Sequence, residues 1–183
     1  WNGDAESVVV DGQGDAFLTF NRLGNGFSQI GRGANGTRDT TAPSYDLNWD
    51  HDARIDGASG EFKGLDAVDS RGVLIVADFV AANQPGAIHV IGKYTGGNAP
   101  IFSVTTSGSS PWDVDYDPAA DRLFVAMTNG DVLVYDNFLD DANPGSQTPD
   151  RVIDVSVAVN LHGIVYDAAN DALMLSDVGD PGN

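Results

Sequence analysis

The sequence predicts an all-β fold built from a short repeated unit, and three observations support this. The 183 residues include 22 glycines and 8 prolines but only nine lysines and arginines, which is more typical of turn-rich β-structure than of a helical bundle. Short apolar runs recur between clusters of turn residues, as expected for strands. No convincing stretch repeats its apolar residues at the 3.6-residue period of an amphipathic helix.

A short motif ending in aspartate marks the first strand of each unit. It reads Val-Val-Val-Asp at 8–11, Asp-Ala-Val-Asp at 66–69, Val-Asp-Tyr-Asp at 114–117 and Ile-Val-Tyr-Asp at 164–167. The final aspartates are 58, 48 and 50 residues apart. We expect them to cap the following turn by accepting hydrogen bonds from backbone N–H groups.

Further apolar runs follow each motif in a fixed order. Second strands are predicted at 16–20, 73–78, 122–127 and 172–177. Third strands are predicted at 26–31, 87–92 and 131–136, where Val132 and Val134 alternate with Leu133 and Tyr135. Fourth strands are predicted at 101–105 and 151–155, with a weaker candidate at 53–56.

About four short strands in roughly 50 residues is the period of a β-propeller blade. A sandwich of hairpins is the alternative, but it does not require the same motif at near-equal spacing. The predicted units are 6–63, 64–110, 111–158 and 159–183, which give three complete four-stranded blades and half of a fourth. Because an open arc leaves strand edges unpaired, we expect a larger ring, completed by the missing remainder of the same chain or by a partner protein.

We expect one second-strand residue of each unit to lie buried between blades at an equivalent position. Counting from the four aspartates gives Phe17, Leu74, Phe124 and Met174.

Two stretches carry a resemblance to known propellers. Leu-Ile-Val-Ala-Asp at 74–78, followed by Ile-His-Val-Ile at 88–91, resembles the NHL-type blade. The segments 131–136 and 148–153 resemble repeats of secreted bacterial and archaeal propellers of unassigned role. The resemblance covers 64–183 well and 6–63 poorly, and Ala87 replaces the arginine of the NHL pattern. NHL-like proteins include lactonases, lyases and interaction modules, so the resemblance implies a fold and leaves the activity open.

Charge and composition exclude several classes of function. Twenty-seven acidic and nine basic residues give a net charge of −18, which disfavours nucleic acid and anionic membrane surfaces as partners. No apolar run approaches the roughly 20 residues of a transmembrane helix. Cysteine is absent, which excludes disulfides and thiolate chemistry. An acidic, cysteine-free β-repeat suits an exposed environment, so we expect an extracytoplasmic location.

The first strands supply the candidate site, because in a propeller they line the central channel. Asp113 and Asp115 share one strand face, and Asp66 and His162 occupy the corresponding regions of neighbouring units. One interpretation is a metal-dependent, lactonase-like hydrolase that uses Asp113, Asp115 and His162. The other is a set of solvated channel carboxylates, with Asp66, Trp112 and His162 on a binding face. The Glu, Asn, Asn and Asp ligands that the lactonase resemblance implies cannot be located.

An acidic stretch at 46–57 is a candidate calcium loop. Oxygen ligands at alternating positions suit Ca²⁺, which binds six to eight of them. The candidate ligands are Asp46, Asn48, Asp50, Asp52 and Asp56. However, His51 replaces the glycine of the sharp turn, and Gly57 replaces the bidentate acid. We therefore favour an acidic surface insertion, with calcium as the alternative.

Other motifs are weaker. Gly31-Arg-Gly-Ala-Asn-Gly36 has the spelling of a dinucleotide-binding loop, but no helix can follow it to hold a pyrophosphate, so it predicts a turn. His89 is predicted to be a structural or surface residue of a strand. With no convincing catalytic set, the leading prediction is a non-enzymatic extracytoplasmic binding or scaffolding module that needs no cofactor and contacts other proteins.

Overall fold

Turn residues at regular intervals divide the chain into short strands. The computed structural model describes residues 4–21, 27–30, 61–81, 83–93 and 99–180. Their strands are β1 (Asp4–Val10), β2 (Ala16–Asn21), β3 (Phe27–Ile30), β4 (Glu61–Val68), β5 (Val73–Phe79), β6 (Ala87–Gly92), β7 (Phe102–Thr105), β8 (Pro111–Asp117), β9 (Arg122–Met127), β10 (Asp131–Asp136), β11 (Arg151–Asp154), β12 (Leu161–Asp167) and β13 (Ala172–Asp177). No helix in these ranges is long and apolar enough to cross a membrane.

The strands form four antiparallel sheets in chain order, which we call blades 1 to 4. Blade 1 has the order β1-β2-β3, blade 2 β4-β5-β6-β7, blade 3 β8-β9-β10-β11 and blade 4 β12-β13. The first strands of consecutive blades are neighbours, β1 beside β4, β4 beside β8 and β8 beside β12. The blades therefore follow one another around an arc with the first strands innermost. The candidate strand at 53–56 lies outside the described residues.

Each first hairpin closes with one residue pair, which gives all four blades a common register. The pairs are Asp11 with Asp15, Val68 with Val73, Asp117 with Arg122, and Asp167 with Ala172. We call positions in different blades equivalent when they lie the same number of residues from this closing pair along the same strand.

Three of the four motif aspartates cap the turn that follows them, as the sequence predicts. Asp11 accepts the N–H groups of Gln13 and Asp15, each at 2.9 Å. Asp117 and Asp167 each accept the N–H group two residues later. For Asp69 the expectation is wrong. It lies one residue beyond the closing pair, and its carboxylate accepts the N–H group of Gly12 from blade 1 at 2.7 Å.

Three apolar clusters fill the interfaces between consecutive blades. Blades 1 and 2 enclose Phe17, Phe62, Leu65, Leu74, Val76 and Ile91. The largest cluster, between blades 2 and 3, includes Ile75, Ile88, Val125 and Tyr135. Blades 3 and 4 enclose Phe124, Ala126, Val132, Val134, Leu161 and Ile164. Burying such a side chain stabilises the fold by about 1.5–3 kcal/mol, so the blades hold one another in place through these clusters.

The register corrects the expectation of four equivalent buried residues. Phe17, Phe124 and Met174 are equivalent, but their counterpart in blade 2 is Ile75. Leu74 is also buried, but it faces blade 1 instead of blade 3. The count is wrong by one because Asp69 lies one residue later in the register than the other three aspartates.

Met174 is equivalent to Phe17 and Phe124, but the expectation that it is buried is wrong. Phe17 is 0% exposed and Phe124 4%, whereas Met174 is 57% exposed. Each phenylalanine contacts the following blade, and no described residue covers blade 4 on that side.

Candidate binding site along the inner strands

Every first strand has a β-bulge near its beginning. The pairing register shifts between Ala5 and Ser7, between Phe62 and Leu65, between Pro111 and Asp113, and between Leu161 and Gly163. The bulged residues include Glu6, Lys63, Trp112 and His162, one in each blade. A bulge turns its side chain out of the regular alternation, and here it directs four equivalent side chains toward neighbouring blades.

These four residues, which we call the bulge ladder, contact one another in blade order. The Lys63 ammonium lies 3.2 Å from the Glu6 carboxylate and 4.3 Å from the centre of the Trp112 ring. The Trp112 and His162 rings stack with centroids 3.5 Å apart and planes 8° apart. A desolvated cation–π contact contributes about 2 kcal/mol. The bulge ladder therefore joins all four blades at one end of the inner strands.

Lys63 is the central member of the bulge ladder. Its side chain is only 3% exposed, so its charge must be compensated inside the protein. Glu6 supplies an ion pair, Glu61 lies 4.0 Å away, and Phe79 presents its ring at 5.4 Å. Phe79 also packs edge-on against Trp112. Lys63 lies over the Trp112 ring and His162 stacks on it, so side chains of the protein itself contact the ring where a ligand could otherwise stack.

Inner-strand carboxylates form a second set of connections between blades. Asp66 accepts the Tyr116 N–H group at 2.9 Å. Asp115, its equivalent in blade 3, accepts the Tyr166 N–H group at 2.7 Å. Because the first strand is the edge of each sheet, its outward N–H groups have no strand partner. A carboxylate of the preceding blade supplies the acceptor that these groups need.

Asp113 makes the third such connection, to the Ile164 N–H group at 3.1 Å. Its equivalent in blade 2 is Gly64, where an added Cβ would lie 2.6 Å from the Asp113 Cα. Only a residue without a side chain permits strands β4 and β8 to approach this closely.

Burial gives these carboxylates unusual protonation behaviour. It raises the pKa of Asp66 and that of Asp113 to about 6, against the opposing effect of the N–H groups that they accept. The pKa of Asp115 is raised for the same reason. Repulsion from the Asp115 charge adds to the raised pKa of Asp66 and to that of Asp113.

A cavity of about 450 Å³ lies beside two of these carboxylates, between blades 2 and 3. Asp66, Asp115 and Tyr116 line it, with Asp69, Ser70 and Pro118 from the adjoining turns. Its acidic lining suits a positively charged or hydrogen-bond-donating group.

The sequence-predicted residues fall into two groups in the structure. Asp66, Asp113 and Asp115 come together along the inner strands, but among the described residues no hydrogen bond joins them to His162. The His162 Nε2 is buried without a hydrogen-bond partner, and burial followed by the Lys63 charge lowers the pKa of its imidazole. In the described ranges, no three His, Cys, Asp or Glu side chains lie close enough together to hold a metal ion.

Sequence reasoning missed Lys93, a buried cation that connects blades 1 and 2. Its ammonium lies 2.5 Å from Asp11 Oδ2 and 2.5 Å from Asp69 Oδ1, and its side chain is 2% exposed. The hydrogen bond from Lys93 and then the Gly12 N–H group lower the pKa of Asp69. The sequence signal that could have revealed Lys93 is its position just after a strand, in a chain that has only nine lysines and arginines.

His89 is buried, so the structural interpretation of this residue is the correct one. Its Nε2 lies 3.1 Å from Asp78 Oδ2 and its Nδ1 lies 2.7 Å from Ser103 Oγ. These residues belong to three adjacent strands of blade 2, and the network ties those strands together. The candidate calcium ligands and the glycine-rich motif at 31–36 lie outside the described part of the chain and stay predictions.

Comparison with solved structures decides the fold. The chain aligns with the WD40 β-propeller domain of Doa1 at a TM-score of 0.56 and 13% identity, covering 95% of this chain and 47% of that one. It aligns with the Dos1 propeller at 0.60 and 8%, covering 96% and 41%. The chain has a β-propeller fold. A protein of unknown function from Bacteroides caccae also aligns, at 0.58 and 12%, covering 96% and 54%.

The propeller is not assigned to a family. No family model matches the sequence, and no curated protein does. The chain spans about half the length of the propeller structures that it matches. At such low identity the likeness shows the fold alone, and the NHL-like subtype is not part of that result.

Proposed function

We propose that this propeller arc is a non-enzymatic binding or scaffolding module that contacts other proteins through its faces and edges. One observation carries the proposal. The inner-strand carboxylates, which are the best candidates for catalysis, each accept a backbone N–H group of the next blade. These hydrogen bonds connect neighbouring blades, so a structural role explains why carboxylates lie at these positions.

The hydrolase alternative draws no support from the geometry. Asp113 and Asp115 are directed to blade 4, and His162 stacks on Trp112 instead of approaching either carboxylate. If the alternative were correct, the chain would hydrolyse a lactone in the presence of a divalent cation and Asp113→Asn would abolish that activity. We expect no such hydrolysis.

We place the proposed partner at the acidic cavity between blades 2 and 3. Asp66 and Asp115 line it, and the whole chain carries a net charge of −18. Complementary charge steers association and favours the matching partner, so the proposed partner presents a lysine or arginine side chain on a protein segment.

A pair of serine substitutions tests this assignment. Ser70 lines the cavity and is exposed, and Ser156 is exposed in the connection between β11 and β12. Ser70→Arg places a cation at the cavity, whereas Ser156→Arg makes the same change elsewhere. We expect immobilised wild type and Ser156→Arg to capture a common set of proteins that Ser70→Arg does not capture. Equal capture by all three would contradict the cavity as the binding site.

We also propose an extracytoplasmic location and a relation to secreted NHL-like propellers. The acidic, cysteine-free composition and the sequence resemblance support both. An antibody against the chain tests the location. The chain is expected in the secreted or cell-surface fraction of its source, and detection in the cytosol alone would contradict the proposal.

A further inference from the structure

We infer that the open face of blade 4 binds blade 1 of a second copy of this chain, and that two copies close one propeller ring. The inference rests on the interaction function proposed above and names one partner for it. The second copy would use the same kind of interface that already joins blades 1 to 2, 2 to 3 and 3 to 4.

Blade 4 exposes the positions that other blades bury against the blade that follows. Met174 is equivalent to Phe17, Ile75 and Phe124, all of which are at most 4% exposed, and is itself 57% exposed. Val165 pairs with Met174 across the hairpin and is 50% exposed. The two side chains form an apolar surface without a described neighbour.

Blade 1 exposes the complementary positions, which other blades bury against the blade that precedes them. Val8 is equivalent to Val114 and Ile164, each 3% exposed, but is itself 59% exposed. Val10 is equivalent to Tyr116 and is 50% exposed. One chain therefore carries both halves of the repeated interface, one at each end of the arc.

The bulge ladder continues in the same sense across this contact. Within the chain it runs from Glu6 through Lys63 and Trp112 to His162, with each member touching the next. In a two-copy ring, His162 of one copy would lie beside Glu6 of the other.

The symmetry of a closed ring suits two copies. Blade 4 of each copy would contact blade 1 of the other, and this repeated head-to-tail contact closes without leaving an open blade face. The charge of −18 on each copy opposes association, so added salt should strengthen it.

Sedimentation equilibrium of the full 183-residue chain tests the inference, at about 1–100 μM in about 0.15 M and 0.5 M NaCl. We expect twice the mass of one chain, with a lower Kd at the higher salt concentration. Val8→Asp and Met174→Asp should each weaken association by at least about 30-fold. Val157→Asp, at a site 87% exposed in the connection between β11 and β12, is the matched control and should not.

Mixing the two variants separates head-to-tail contact from other arrangements. A Val8→Asp chain and a Met174→Asp chain together form one contact in which both surfaces are wild type. The mixture should therefore associate more tightly than either variant alone, with unchanged circular dichroism. Three results would overturn the inference: a monomer at all concentrations, a dimer that neither substitution weakens, or a mixture no tighter than its components. A monomer that still shows the Ser70-dependent capture would leave the proposed function intact.

Discussion

Lys63 and Trp112 occupy the same position in consecutive blades, and the lysine ammonium lies 4.3 Å from the centre of the indole ring. A β-bulge in each first strand places these side chains outside the regular alternation. Equivalent positions in a repeat thus hold chemically different residues that are complementary to their neighbours in the next blade.

Replacing Trp112 should disrupt the bulge ladder on both sides at once. Trp112→Ala removes the ring that contacts both Lys63 and His162, so we expect a loss of about 3–5 kcal/mol in the free energy of unfolding. Trp112→Phe keeps an aromatic face and should lose less than half of that. Urea denaturation measures both, and equal losses would show that the ring contacts do not matter.

Phe124 and Met174 are equivalent by register but differ in burial, which makes them a matched pair. Phe124→Ala should lower the free energy of unfolding by about 3–5 kcal/mol because it leaves a cavity between blades 3 and 4. Met174→Ala, at a position 57% exposed, should cost less than about 1 kcal/mol in the monomer. Denaturation at low protein concentration tests this, and a similar loss for both would contradict the assigned register.

Stability should rise as the pH falls from 7 to 5, because of Asp66 and Asp113. The folded pKa of each is about 6, above the ordinary value of 3.8, so the folded state binds these protons more tightly than the unfolded state. The resulting stabilisation is fully present at pH values below the ordinary pKa and is lost as the pH rises through about 6. Each group should contribute roughly 1 kcal/mol between pH 7 and 5.

Asn substitutions isolate this effect from other titrating groups. His162 acts in the opposite direction, because burial lowers its pKa and stability is lost when it becomes protonated. Asp66→Asn removes one carboxyl and should flatten the difference between pH 7 and 5 relative to wild type. Asp154→Asn, at an exposed position, is the control. A pH profile that Asp66→Asn leaves unchanged would refute the assignment.

Divalent cations should affect the acidic stretch at 46–57 more than the blades. If this stretch binds Ca²⁺, millimolar calcium raises the melting temperature and chelation lowers it, since a ligand of the folded state stabilises by mass action. Combining Asp50→Asn with Asp52→Asn should abolish that response. Identical melting curves in EDTA and in calcium would remove the calcium interpretation and leave the acidic insertion that we favour.

The sequence predicts the fold well because strand alternation and turn residues are local signals. The second-strand runs at 122–127 and 172–177 coincide with β9 and β13. The register of blade 2 could not be read correctly, because Asp69 lies one residue beyond the pair that closes its hairpin, and its carboxylate bonds to Gly12 across a blade interface.

The site was only partly predictable for a similar reason. Asp66, Asp113 and Asp115 could be placed on the inner strands from their alternation with apolar residues. These carboxylates accept N–H groups of the next blade only because the two sheets lie close together, and that distance cannot be read from the sequence. The bulge that brings Lys63 onto Trp112 likewise depends on pairing between strands, and no periodicity in a single strand reveals it.

Amide hydrogen exchange in Asp113→Ala and Asp115→Ala tests most directly whether the inner-strand carboxylates connect the blades. Asp113→Ala should accelerate exchange of the Ile164 amide by on the order of 10-fold, the equivalent of one charge-assisted hydrogen bond. Asp115→Ala should do the same for the Tyr166 amide, and neither should change the Tyr116 amide, which bonds to Asp66. Unchanged exchange at Ile164 and Tyr166 would contradict the claim that these carboxylates connect the blades, and would make them candidates for catalysis again.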